Sequence, residues 1–332
     1  MNIAIDNHTP DQIAYCTVGE IELTVLNAIL SRYYRDLGIN LVEVKGIRGT
    51  GLTSKNFRCG NYFVKLIYDV DDVMKTCVNY FLTVSDCLNK NQIPVSKFII
   101  NDFGDHITNH ENQILYVQEF SSEQFYSGTL DELKQVLDIL PKLHAALSRL
   151  EPLPTHKVVY KDWNPGIIIH SIREKIPAID KLAEYDQKAI QAIEKIDWVI
   201  DWWESNHKYL QESGIHHYDL HPHNLLFGDG ELKAIIDLEG FIPFPEKVST
   251  SFSIFKIAKK TLTKNIALLQ DVRDFVTEKG FDIQTVNSFA RLEIIRRVLI
   301  ILSAHYLDGN HNYDFDLDKQ IRSFSEVGYI FS

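Results

Sequence analysis

Little in this sequence suggests a chain held together by anything except a folded core. Four cysteines occur in 332 residues, Cys16, Cys59, Cys77 and Cys87, with no C-x-x-C pair among them. That spacing argues against a disulfide scaffold, and reduced thiols in a cytoplasm are the natural reading. Long apolar runs are missing too: Val298-Leu299-Ile300-Ile301-Leu302 falls far short of the roughly 20 residues that a membrane-spanning helix needs. The opening Met1-Asn2-Ile3-Ala4-Ile5-Asp6 lacks the basic segment and apolar stretch of a secretory signal. Positive charge is in deficit, with 34 Lys+Arg against 45 Asp+Glu and a net charge of -11, so a broad grip on nucleic-acid phosphates is not expected. Repeats and low-complexity tracts are absent. The expectation is a soluble cytoplasmic protein that engages neither membrane nor nucleic acid.

What is present is enough apolar material for a large core. Hydrophobic residues make up 45% of the chain, and its length exceeds what one core usually serves, so two domains or one two-lobed unit is expected. From Val18 to Leu37, Ile21, Leu23, Val25, Leu26, Ile29 and Leu30 recur near helical period, and Gly38 ends the pattern. Between Leu41 and Ile67 β-branched and aromatic clusters separated by glycines predict three antiparallel strands. Val73, Cys77, Phe81, Val84 and Leu88 predict a helix, and strands follow around Phe98-Ile99-Ile100 and Ile114-Leu115-Tyr116-Val117. Beyond Ser121-Ser122 the helical signal dominates, which sets a boundary near residue 120. Thr129 with Glu132 is a capping-box pair ahead of the stripe Leu133, Val136, Leu137, Leu140 and Leu147, and Pro141 is expected to kink or break that helix. Trp198, Trp202 and Trp203 lie in a helical block, where core packing is a better reading than a cation cage. Leu225 to Ile236, with Gly228-Asp229-Gly230, reads as a hairpin, and helices return from about Ser253 to Tyr306.

The most informative stretch is His217-Tyr218-Asp219-Leu220-His221-Pro222-His223-Asn224, followed by the hairpin and then Asp237-Leu238-Glu239. It sets an Asp and an Asn on one irregular loop, with a second Asp just after a strand that returns beside it. Phosphoryl transfer from a nucleotide needs a carboxylate that receives or orients the acceptor hydroxyl proton. It also needs oxygen ligands that hold Mg2+ against the phosphate oxygens. Upstream, alternation in Tyr62 to Ile67 puts Lys65 on the face of Phe63 and Ile67, an awkward place for a charge without a partner. A snorkelling edge lysine is the simpler reading of that residue taken alone.

The pattern His217-x-Asp219-x-x-x-x-Asn224, with Asp237 after the next strand, resembles the catalytic and metal-binding loops of the aminoglycoside phosphotransferase and choline kinase family, relatives of the protein kinases. The resemblance implies an α+β, two-lobed protein-kinase-like fold with a small antiparallel β N-lobe and a mainly helical C-lobe. Its extents would be a helical extension over 1–38, a nucleotide-binding lobe over 39–120, and a C-lobe with catalytic loop and acceptor site over 121–332. It implies that Asp219 is the catalytic base, that Asn224 and Asp237 hold Mg2+, that His217 shapes the loop and that Lys65 contacts the phosphates of ATP. It also assigns Glu119 and Phe120 to the adenine site. The loop Gly46-Ile47-Arg48-Gly49-Thr50-Gly51 offers backbone N–H groups, those of Gly49 and Gly51 above all, that could cover phosphates; an ordinary hairpin loop is the alternative. His144 matches a position ending a C-lobe helix and is read as structural.

Three departures from the family stand out. Residues 73–91 hold no Glu to pair with Lys65, only Asp86. Tyr218 and His223 replace small residues beside the catalytic Asp and the metal-binding Asn. The stretch Thr155 to Asp180 matches no part of the pattern. The expected activity is transfer from ATP to a hydroxyl of a small molecule such as an aminoglycoside, amino alcohol, sugar or homoserine-like metabolite. Asp308, Asp314, Asp316 and Asp318 offer an acidic wall for a cationic acceptor, and a solvated acidic tail is the simpler reading of the same residues. Two other readings stand beside it: a kinase-like binding or coat protein without catalysis, and a hydrolase with a transition metal on His216, His217, His221 and His223.

Overall fold

Alternation along Tyr62–Ile67 turns Val64 and Leu66 into a core, where both are fully buried, and leaves Lys65 on the opposite face of the strand. The computed structural model describes residues 10–39, 43–48, 54–153, 159–177, 183–210 and 214–332. In chain order the first elements are β1 (Tyr15–Cys16), α1 (Glu20–Tyr33), β2 (Val44–Ile47), β3 (Ser54–Cys59), β4 (Tyr62–Ile67), α2 (Asp72–Lys90), β5 (Thr108–His110), β6 (Gln113–Glu119), β7 (Gln124–Phe125) and α3 (Leu130–Leu147). There follow α4 (Pro165–Arg173), α5 (Glu184–Ile196), α6 (Val199–Asn206), β8 (Gly214–His217), β9 (Leu225–Gly228), β10 (Glu231–Ile235), β11 (Phe241–Phe244), α7 (Glu246–Lys264), α8 (Leu269–Glu278), α9 (Ile283–Tyr306) and α10 (Leu317–Ile330).

The chain divides into two compact units, one of His8–Thr155 with His221–Phe241, the other of His156–Leu220 with Ile242–Ser332. In the first, a six-stranded sheet runs β1-β2-β3-β4-β6-β5, with every neighbouring pair antiparallel. Leu26, Ile29, Leu30 and Tyr34 of the opening helix share one core with Phe57, Val64, Leu66, Leu115 and Val117 of the sheet. That helix is thus part of the sheet's unit. The helix itself ends at Tyr33, and a 3-10 turn over Arg35–Leu37 carries the chain on to Gly38, which is left-handed at φ 57°. Gly46 and Ile47 belong to β2 rather than to a loop, while Gly49 and Gly51 lie outside the described residues. Around Phe98 no strand forms among the described residues; a single bridge to Gln118 stands in its place.

The capping box at the start of α3 is present, and the Glu132 carboxylate also accepts from the Ser127 N–H at 2.8 Å and the Gly128 N–H at 3.0 Å. Pro141 does not break this helix. It sits on the exposed side, while Leu137, Leu140, Leu143 and Leu147 are buried on both sides of it, and that packing outweighs a cost of about 3 kcal/mol. The hairpin β9–β10 turns at Asp229 and Gly230, whose φ values of 53° and 78° are those of a turn needing positive φ at both central residues. Gln135 of α3 donates to the Gly230 carbonyl at 2.7 Å and accepts from the Leu232 N–H at 3.0 Å, and β7 pairs with β9. These bonds explain why α3 and the hairpin join the sheet's unit, where the sequence placed them beyond a boundary near residue 120.

The second unit is mainly helical, with β8 and β11 paired. Part of the unmatched stretch becomes α4, capped by Asn164 with Pro165 at its first turn. Core packing fits Trp203, 8% exposed and 4.8 Å from Trp163 ring to ring, whereas Trp198 is 40% exposed. No helix among the described residues is long and apolar enough to cross a membrane.

Candidate active site

The sequence motif is shared between the two units, and each half has its own construction. In the first unit β4 presents Lys65 opposite Tyr116 of β6. The Lys65 ammonium, its side chain 14% exposed, pairs with the Glu239 carboxylate. Tyr116 donates its hydroxyl to the same carboxylate at 3.2 Å. Burial would push Glu239 up, yet the Lys65 charge and hydrogen bond hold it below its ordinary value. Tyr116 moves the other way, raised first by burial and then by the charge of Glu239. The partner that Lys65 lacks on α2 therefore comes from the turn carrying Asp237.

That turn is set by backbone. Asp237 adopts the left-handed conformation at φ 62° and caps a short 3-10 turn, Leu238–Gly240. One residue before it, the Ile236 N–H donates to the Asn224 carbonyl at 3.0 Å. This bond brings Asn224, buried at 7% exposure, beside the chain that delivers Asp237. The amide oxygen of Asn224 and the carboxylate oxygens of Asp237, with no sulfur among them, are a donor set of the kind that fits Mg2+. Glu119 and Phe120 close β6; their backbone N–H groups bond to the Lys97 and Asn61 carbonyls at 2.9 Å each, and the Arg58 guanidinium lies 4.4 Å from the Phe120 ring centroid.

In the second unit β8 leads into Asp219. The Asp219 N–H donates to His217 Nδ1 at 3.2 Å, and the His217 carbonyl accepts from the Ser249 hydroxyl at 2.8 Å. Arg297 Nη2 donates to Asp219 Oδ1 at 3.0 Å and its Nε to Glu293 Oε1 at 2.9 Å. Glu293, 0% exposed, also accepts from Arg296 at 2.7 and 2.8 Å and from the Tyr160 hydroxyl at 2.8 Å. Lys256 is driven down to about 8 by burial, against the opposing pull of Asp219.

Arg297 and Lys256 are residues the sequence reading does not assign to this site; for Glu239 it leaves open a place near the acceptor or metal and an ordinary salt bridge, and the structure pairs it with Lys65. One signal was there: Glu293, Arg296 and Arg297 fall three and four positions apart inside Leu292-Ile294-Ile295-Val298, and charges at that spacing in an apolar helix must satisfy one another. The histidine run has local work. The His223 N–H donates to His221 Nδ1 at 3.2 Å, the His223 ring packs 4.9 Å from Phe125, and burial drives His216 down to about 4. Among the described residues this run supplies no convergent group of three metal ligands, which removes the basis of the hydrolase reading. His144 is buried in α3, as a structural residue would be. The acidic wall is largely occupied: Asp314 meets His305 at 2.9 Å, Asp316 meets Lys319 at 3.3 Å and Asp318 meets Lys188 at 3.2 Å.

The Lys65–Glu239 pair makes a prediction. Lys65→Met is expected to destabilise the fold by about 1–3 kcal/mol, because it strands a partly buried carboxylate. The double variant Lys65→Met/Glu239→Gln should recover part of that loss. Denaturant unfolding of the four proteins of the cycle measures the coupling, and additive single effects would show the pair contributes nothing.

Comparison with known proteins bears on the family and the fold. A model of the phosphotransferase enzyme family matches residues 60–241, more than half of the chain. No curated protein sequence matches significantly. Among solved structures, spectinomycin phosphotransferase in complex with ADP and spectinomycin is 16% identical with a TM-score of 0.65, covering 93% of this chain and 97% of its own. The choline kinase of Streptococcus pneumoniae is 13% identical with a TM-score of 0.54, covering 94% and 100%. An amicoumacin kinase in complex with AMP-PNP and Ca2+ is 13% identical with a TM-score of 0.53, covering 90% and 95%.

Proposed function

The chain belongs to the phosphotransferase enzyme family, and from that premise we propose that it transfers the terminal phosphate of ATP, with Mg2+, to a hydroxyl group of a small molecule. Lys65 binds the phosphates, with Glu239 holding its ammonium in place. Asn224 and Asp237 hold Mg2+, which when bound neutralises phosphate charge. Asp219 accepts the acceptor's hydroxyl proton, and Arg297 fixes its carboxylate. Glu119, Phe120 and the Gly49–Gly51 segment complete the nucleotide site. The observation that carries this reading is the half-buried lysine anchored by the turn of Asp237, since a phosphate-binding cation beside an oxygen-rich metal turn serves nucleotide chemistry. It also removes the main motive for a non-catalytic coat or binding protein, the missing helix Glu.

The acceptor belongs to the class of hydroxylated small molecules that includes aminoglycosides, amino alcohols, sugars and homoserine-like metabolites. A cationic acceptor draws less support than the sequence suggested, because Asp314, Asp316 and Asp318 are engaged and the groups facing Asp219 are Arg297 and Lys256. ATP supply and four free thiols favour the cytoplasm.

Magnesium-dependent thermal stabilisation by ATP tests the nucleotide half. Ligand at 100 times its Kd adds about 2.7 kcal/mol, so a clear rise in Tm is expected for the parent with ATP and Mg2+. In Asp237→Ala the Mg2+-dependent part of that rise should vanish. An equal response in both proteins would refute the metal role. ATP consumption against panels of amine-bearing, neutral and anionic alcohols then reads the acceptor, and silence with every panel alongside normal ATP binding would favour the coat reading.

A further inference from the structure

Three side chains near the C-terminus converge in a way that the phosphotransferase reading does not use. His305 lies in the last turn of α9, His311 in the connection after it, and Asp314 on the short 3-10 turn Asp314–Asp316 that precedes α10. His305 Nδ1 lies 2.9 Å from His311 Nδ1 and 2.9 Å from Asp314 Oδ2, and His311 Nδ1 lies 3.4 Å from the same oxygen. Three ligands around tetrahedral Zn2+ at bond lengths near 2.0–2.1 Å stand about 3.3 Å apart, so these three atoms occupy one face of such a tetrahedron to within a few tenths of an ångström.

A ring nitrogen carries either one proton or one in-plane lone pair. Hydrogen bonding answers this cluster with a single shared proton, His305 Nδ1–H donating to both Asp314 Oδ2 and the lone pair of His311 Nδ1. A cation at the centre instead accepts electron pairs from all three atoms at once. Two imidazoles and one carboxylate select a borderline transition metal over Mg2+ or Ca2+, which prefer oxygen. The surroundings suit a held ligand: Tyr185 stacks on the His305 ring at 4.1 Å and 20°, while His311, its side chain 63% exposed, leaves the fourth position open to water.

We propose that His305, His311 and Asp314 form a Zn2+ site that ties the end of α9 to the start of α10. Its place in the chain, bracketing the 307–313 connection, gives the metal a structural role there, since an ion bound only by the folded arrangement adds its binding free energy to the stability of the fold.

The test uses full-length, nucleotide-free protein freed of metal by chelator and titrated with Zn2+ in excess Mg2+, which occupies the oxygen ligands of Asn224 and Asp237. One tight equivalent per chain is expected in the parent, with a rise in Tm, and Co2+ in its place should give tetrahedral d–d absorption. His311→Ala and Asp314→Asn should each lose that equivalent, its Tm increment and the Co2+ spectrum. His311 is exposed enough for its variant to fold, and the metal-free Tm checks that it has. Tight Zn2+ binding that persists in both variants would overturn the assignment, as would its absence in the parent. Nucleotide-induced stabilisation, measured in parallel, keeps this outcome separate from that of the phosphotransferase reading.

Discussion

Asp219→Asn is expected to lower phosphoryl transfer about 10²–10⁴-fold, the usual contribution of a positioned general base. The amide keeps the size of the side chain, and the turn is held by backbone: the residue-219 N–H still reaches His217 Nδ1, and Ser249 still binds the His217 carbonyl. What is lost is the proton acceptor and the ionic half of the contact with Arg297. Stabilisation by ATP and Mg2+ should survive, since Lys65, Asn224 and Asp237 are untouched. Steady-state turnover with any acceptor found active, set against that stabilisation, measures both effects. Parental turnover in the variant would remove Asp219 from the chemistry.

Glu293→Ala is expected to cost about 3–5 kcal/mol, the largest effect on stability we foresee. The Glu293 carboxylate is fully buried and receives donors from Tyr160, Arg296 and Arg297. Removing it strips the Arg296 guanidinium, 11% exposed, of its counter-charge and leaves Arg297, 21% exposed, with Asp219 alone, and a buried charge stripped of its partner is far more costly than the intact pair is stabilising. The same carboxylate gives a pH signature. Burial alone would raise its pKa, but Arg296 and Arg297 hold it below the ordinary 4.5. Its contribution is thus complete above that value and is lost as pH falls through the lower folded-state value. Urea unfolding between pH 7 and 3 should show a steeper acid loss in the parent than in Glu293→Gln. Because Arg297 links Glu293 to Asp219, the variant should also lose turnover beyond what unfolding explains. A parental midpoint for Glu293→Ala would show that the arginines find other partners.

Local features of the fold were legible from residue pattern. The alternation around Lys65, the Thr129–Glu132 cap, the Asp229-Gly230 hairpin and the helical run ending at Gly38 each depend on neighbours within a few residues, and each is present in the structure. The Asp219, Asn224 and Asp237 pattern was equally readable, because an irregular loop that concentrates chemistry needs particular residue types at short spacing. Pro141 was expected to kink or break its helix, and the helix runs on through it: whether a proline breaks a helix depends on the packing of both halves, which no local window contains.

The sequence by itself displayed the Asp219, Asn224 and Asp237 pattern on which the proposed site is built, and it exposed a lysine without a helix partner. Only the tertiary structure decided who answers that lysine and who holds Asp219. Glu239 reaches Lys65 across 174 positions and Arg297 reaches Asp219 across 78. Such pairs are selected by the low dielectric of the interior, where a charge must find an opposite one whatever its distance along the chain. The same rule engaged Asp314, Asp316 and Asp318, which composition alone presented as a free acidic wall. Charge counts are a property of the sequence, but which charges remain available to a substrate is settled by folding.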